Sequence, residues 1–121
     1  MAARNIMVWG EIPVTDMEKA VAFYNEVFGY EMTIDNSGPN PMAMLGGVME
    51  TAGAHLYPGT PAKDGGNTIH IDLPDTLEAG IERCKAAGGE VVSPPISIPS
   101  GRFVYAKDLD GNSIGLYEST E

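Results

Sequence analysis

Glu11-Ile12-Pro13-Val14-Thr15-Asp16-Met17-Glu18-Lys19-Ala20, continued through Phe23-Tyr24 to Val27-Phe28-Gly29, is the stretch on which the fold turns. It extends an alternation begun at Ile6. Ile6, Val8, Ile12 and Val14 hold even positions, and Met7, Trp9, Glu11 and Pro13 stand between them. That is the period of a half-buried strand with its even side toward a core. Thr15-Asp16-Met17-Glu18 then has the pattern of a capping box, whose side chains take up the orphan amides of a helix start. Met17, Ala20, Val21, Tyr24, Val27 and Phe28 follow at helical spacing, and Gly29 supplies a stop that tolerates left-handed backbone. A strand runs into one amphipathic helix.

Outward from this unit, the segments YEMTI, PMAMLGGVM and AGAHLYP between Tyr30 and Pro58 read as short strands. The turn residues Asn36-Ser37-Gly38-Pro39 and Thr51-Ala52-Gly53 separate them. The order is βαβββ. A Pro- and Gly-rich connector, residues 58–67, leads to a second half of the same order. Ile69, Ile71 and Leu73 mark a strand face, Asp75-Thr76-Leu77-Glu78 caps a helix carrying Leu77, Ile81 and Cys84, and Gly88-Gly89 ends it. EVVS, GRFVYAK and SIGLYES complete that half, with a hairpin turn at Asp110-Gly111. The halves overlay: Ile12 on Ile71, Val14 on Leu73, Asp16 on Asp75, Ala20 on Ala79 and Gly29 on Gly88, each pair 59 residues apart. His55-Leu56-Tyr57 falls on Gly115-Leu116-Tyr117 at an offset of 60. Matching caps and strand order coincide with these identities, so internal duplication is the preferred explanation.

Composition narrows the function classes. With 121 residues and 43% hydrophobic content the chain builds one domain, 1–121, with module one at about 4–58 and module two at about 68–119. No run approaches the ~20 apolar residues of a membrane span, and the first residues lack a signal peptide's apolar stretch. A cytoplasmic protein is expected. The formal charge of -10 repels phosphate backbones and anionic membranes, which argues against nucleic acid and lipid partners. Cys84 stands alone, and its helical position suits a buried thiol better than a nucleophile. No phosphate loop with Lys, CxxC, HExxH or GxSxG is present, disfavouring nucleotide hydrolysis and serine hydrolase chemistry.

The opening Glu11 to Gly29, Ala86-Ala87-Gly88-Gly89, and Asp108-Leu109-Asp110-Gly111-Asn112 leading into Ile114-Gly115-Leu116-Tyr117-Glu118 resemble vicinal oxygen chelate proteins. This is the glyoxalase, bleomycin resistance protein and dioxygenase superfamily, and the likeness is to its small glyoxalase-related members. The resemblance implies an α+β fold, two tandem βαβββ modules forming a curved mixed sheet with a concave ligand cup and helices outside. It also implies that metal-dependent members draw ligands from the first and last strands of each module, while others bind a small molecule without metal. Association into a homodimer is expected.

If the even side of strand one and Ile69, Ile71 and Leu73 face the helices, the opposite faces line the cup. They carry Trp9, Glu11, His55, Tyr57, Thr68, His70 and Tyr117. Phe103 and Tyr105 add flat walls for a ring-bearing ligand. By periodicity alone this would equally be the wet side of a sheet. The glyoxalase pattern places ligand histidines seven residues before Asp16 and Asp75, where this chain has Trp9 and Thr68. Its last-strand glutamate maps to Gly115, and only His55, the first-half counterpart, is a competent donor. No standard metal site or cofactor is therefore expected. A displaced set of Glu11, His55 and His70 is the one route to a divalent metal, suited to Zn or non-haem Fe. Without metal, Glu11 and His70 are the candidate catalytic pair, the carboxylate orienting the imidazole. Three functions stay open: a metal-independent small-molecule binder, an enzyme (lyase, isomerase or dioxygenase) using Glu11, His55 and His70, and a protein-interaction module.

Overall fold

A computed structural model describes residues 9–48, 53–63 and 65–120. Ile6, Met7, Val8 and Met49 of the readings above, with most of the Thr51-Ala52-Gly53 turn, lie outside the described residues. The elements are β1 (Gly10–Val14), α1 (Met17–Phe28), β2 (Ala43–Met44), β3 (Ala54–Pro58), β4 (Ile69–Asp72), α2 (Leu77–Ala86), β5 (Glu90–Val91), β6 (Ile96–Ile98), β7 (Gly101–Lys107) and β8 (Ser113–Ser119). Among the described residues no helix is long and apolar enough to cross a membrane.

Each half joins its first strand to its last in parallel, which a helical crossover permits and a tight turn does not. β1 runs beside β3 with Glu11 opposite His55. β4 runs beside β8 with His70 opposite Gly115. The two registers superimpose at the offsets of 59 and 60 read from the sequence, so Glu11 corresponds to His70 and His55 to Gly115. β2 then pairs antiparallel with β3, and β7 antiparallel with β8, β5 and β6.

The strands form two sheets, β1-β3-β2 and β4-β8-β7-β5 with β6 on β7. Pro13 brings no amide to the outer edge of β1, and its carbonyl accepts from the Asn112 side chain at 2.7 Å. Helices and apolar strand faces close on one core. Ile12, Val14, Leu56, Ile71, Val104, Ile114 and Leu116 from the strands meet Phe23, Tyr24, Val27, Phe28, Leu77 and Cys84 from the helices. Burial pushes the Cys84 thiol up to about 11, so it is an inert core group.

Three local expectations are corrected. YEMTI forms no strand: the Met32 amide donates to the Asn25 side chain at 2.8 Å, and the Asn25 amide donates back to the Met32 carbonyl at 3.3 Å. A helix side chain thus takes the groups a ladder would use, leaving one bridge between Asp35 and Met42. The N-caps are Asp16 and Thr76, accepting from Lys19 and Ala79, not the first residues of capping boxes. Thr15 turns to Asp110, and Asp75 and Glu78 pair with Arg83 and Arg102. Finally, β6 follows Pro94-Pro95, where no strand was read.

The β7–β8 turn grips the first half through one buried carboxylate. Asp108, 5% exposed, accepts from the Tyr24 hydroxyl at 2.7 Å, from the Asp110 and Asn112 amides at 2.9 Å, and from the Asn112 side chain at 2.9 Å. Removing a buried acceptor strands its donors without partners. Asp108→Ala is expected to cost roughly 2–4 kcal/mol in urea unfolding; a midpoint equal to wild type would contradict this role. Burial, reinforced by Asp108, holds the Tyr24 phenol well above its ordinary value of 10.0. Because the folded value is raised, this contribution is complete below pH 10 and is lost as pH rises toward the folded value. Tyr24→Phe should flatten the fall of unfolding free energy with pH above that point, and an unchanged slope would contradict it.

Candidate functional site

The odd positions of β1, β3, β7 and β8 and the even positions of β4 alternate with the core set, which sends the expected cup residues to the side away from the helices. Strand pairing then sorts them into two groups. In module one, the parallel register sets Glu11 beside His55, and His55 Nε2 lies 3.1 Å from Glu11 Oε2. The His55 side chain is 18% exposed and Glu11 53%, so the imidazole is sheltered while the carboxylate opens to solvent. Tyr57 joins them in a recess of about 300 Å³ that is closed by Asp35, Met42 and the 37–41 loop. The Ser37 hydroxyl and amide donate to Asp35 and hold its carboxyl below the usual range. Asp35 and Met42 were missed in sequence. The turn signal at Asn36-Ser37-Gly38-Pro39 located the loop but not the bridge that folds it over this face.

In module two, the absent side chain at Gly115 decides the arrangement. A Cβ built there would overlap the His70 ring at Nδ1, Cε1 and Cγ, so the imidazole lies against β8 where a side chain would stand. Phe103 meets that ring edge-on at 5.0 Å and 87°, Tyr105 at 5.7 Å and 61°, and the two aromatics meet each other at 5.4 Å and 89°. These are the edge-to-face distances at which aromatic quadrupoles attract. His70 is exposed, and among the described residues no hydrogen bond to its ring nitrogens is made.

The remaining expected residues are committed elsewhere or stand apart. Thr68 is hydrogen-bonded to Ser113. The Tyr117 hydroxyl donates to the Ser100 carbonyl and hydroxyl at 2.9 Å, tying β8 to the turn before β7. Trp9 is 59% exposed and lines a groove of about 720 Å³ with Glu11, Thr68 and the connector. His70 also borders a crevice of about 550 Å³ beside Gly10, Tyr30 and Asp72.

Two chemical expectations are therefore corrected. The imidazole partner of Glu11 is His55, not His70, because strand adjacency rather than a shared face decides which side chains meet. Nor is the displaced metal set assembled: among the described residues no three His, Cys, Asp or Glu side chains converge to hold an ion. The family's standard positions fit a metal no better. Trp9 and Thr68 are not competent ligands, and the place of the last-strand carboxylate is filled by the His70 ring.

The profile of the Glyoxalase/Bleomycin resistance protein/Dioxygenase superfamily matches residues 6–116. A glyoxylase-like domain-containing protein of Didymella fabae is 31% identical over 114 residues, covering 85% of each chain. CFP32 of Mycobacterium tuberculosis (strain CDC 1551 / Oshkosh) is 32% identical over 112 residues, 87% of this chain, which spans 41% of that relative's length. Among solved structures, TnmS3, an antibiotic binding protein from Streptomyces sp. CB03234, superimposes with a TM-score of 0.64 at 26% identity, covering 99% of this chain and 100% of its own. The duplicated strand-helix order, the register of its parallel pairs and these matches agree: the chain belongs to the glyoxalase/bleomycin resistance protein/dioxygenase superfamily.

Proposed function

We propose that this chain is a small-molecule binding protein that holds a ring-bearing ligand on the cup face and uses no standard metal site. One observation carries the reading: His70, Phe103 and Tyr105 stand in mutual edge-on contact on the exposed face of β4 and β7. Side chains that pack on one another lose less freedom on binding than isolated ones do. Flat apolar surfaces with a few polar atoms are what small-molecule sites offer. The likeness to TnmS3, an antibiotic binding protein, at 26% identity supports a binding rather than a turnover function.

A second reading, acid-base catalysis, is favoured by the 3.1 Å contact of His55 and Glu11. A carboxylate on one ring nitrogen orients the imidazole and leaves the other nitrogen to face a ligand. In that reading His55 holds or moves the proton and Glu11 positions it. Conversion of a bound ligand that stops in His55→Ala and persists in His70→Phe would favour catalysis over sequestration.

Binding predicts that aromatic ligands raise the melting temperature. Replacing Phe103 and Tyr105 together by Ala should weaken them by about tenfold or more, with circular dichroism unchanged. A screen of ring-bearing compounds without a shift, or a double variant that binds as wild type does, would contradict it. For the metal, titration with Zn, Mn, Ni or Fe is expected to leave the melting temperature of wild type and His55→Ala alike. Stoichiometric metal lost in His55→Ala would overturn that part.

A further inference from the structure

The duplication places His70 where module one has Glu11, and Gly115 where module one has His55. In module one the two side chains satisfy each other, imidazole to carboxylate. In module two the second side chain is missing, and the imidazole occupies its volume. The ring is thus fixed by β8 beneath it and by Phe103 and Tyr105 at its edges, with its nitrogens unbonded to any described residue. An imidazole set beside aromatic side chains, with nitrogens that no described residue bonds, distinguishes ligands that can hydrogen-bond it from those that cannot.

We propose that Gly115 is a positioning residue: by carrying no side chain it lets His70 lie on β8 and present a fixed nitrogen to a flat aromatic ligand bearing a hydrogen-bonding oxygen. This rests on the binding reading above and names the chemistry of its ligand. His70 supplies the polar contact and Phe103 and Tyr105 the apolar ones. An imidazole both donates and accepts, so a hydroxyl or a carbonyl on the ring is recognised while a methyl in the same place is not.

The probes are 2-naphthol and 2-methylnaphthalene, alike in ring system and differing in the oxygen, titrated by calorimetry into wild type, His70→Phe and Gly115→Ala. Wild type is expected to bind the naphthol about tenfold more tightly, the effect of one hydrogen bond. His70→Phe keeps the methylnaphthalene affinity and loses the preference. Gly115→Ala, checked for folding by circular dichroism, loses it too, because the added Cβ displaces the ring. Should Gly115→Ala fail to fold, His70→Phe decides alone. If wild type binds both probes equally, or His70→Phe keeps the tenfold preference, the inference is overturned and the binding reading stands. A folded Gly115→Ala that keeps the preference overturns the role of Gly115. If wild type binds neither probe, the binding reading falls and takes this inference with it.

Discussion

The parallel pairing of first strand with last strand in each half is the constraint on which the rest depends. It is a non-local contact, closed only after a helix and further strands have been laid down, and the helix has to bury its apolar stripe for the pair to form. Once formed, it fixes which side chains are neighbours across the sheet. Glu11 meets His55 and His70 meets Gly115 because the same register occurs twice. The two modules then differ in chemistry at these paired positions: a carboxylate-imidazole pair in one, and an imidazole lying on bare backbone in the other.

The halves are held to each other by polar contacts as well as by the shared core. Asp108 collects four donors, among them Tyr24 of α1, and Asn112 passes the connection on to the Pro13 carbonyl. The Arg83 guanidinium reaches from α2 to the Val27 carbonyl at the end of α1 at 2.9 Å. A buried network with every member satisfied rigidifies what it joins, and a vacancy in it is costly. These contacts hold β1 and β8, and with them the strands that carry the cup residues, in one frame.

Much of this was legible in the sequence because burial imposes a period. Ile12, Val14, Ile71, Leu56, Ile114 and Leu116 are core residues, as alternation required, and Gly29 takes φ 72° at the end of α1 as a helix stop should. What was not legible depends on partners distant in the chain. Nothing local to YEMTI reveals that Asn25 will occupy the Met32 amide. Thr15 and Asp16 are equally good caps until Asp110 claims Thr15. The candidate site followed the same division. Periodicity placed His55 and His70 on the exposed face, but a face says nothing of which histidine sits beside Glu11. The value of Gly115 lay in an absent side chain, read in sequence only as a missing ligand.

The central claim, that the wall of His70, Phe103 and Tyr105 is where a ligand is held, is tested most directly by locating a bound aromatic compound on isotope-labelled protein. Two-dimensional NMR spectra recorded during addition of 2-naphthol should move the signals of His70, Phe103, Tyr105 and Gly115 first and farthest, with those of α1 and α2 nearly still. Shifts confined to the helices, or centred on a surface away from β4, β7 and β8, would contradict the account.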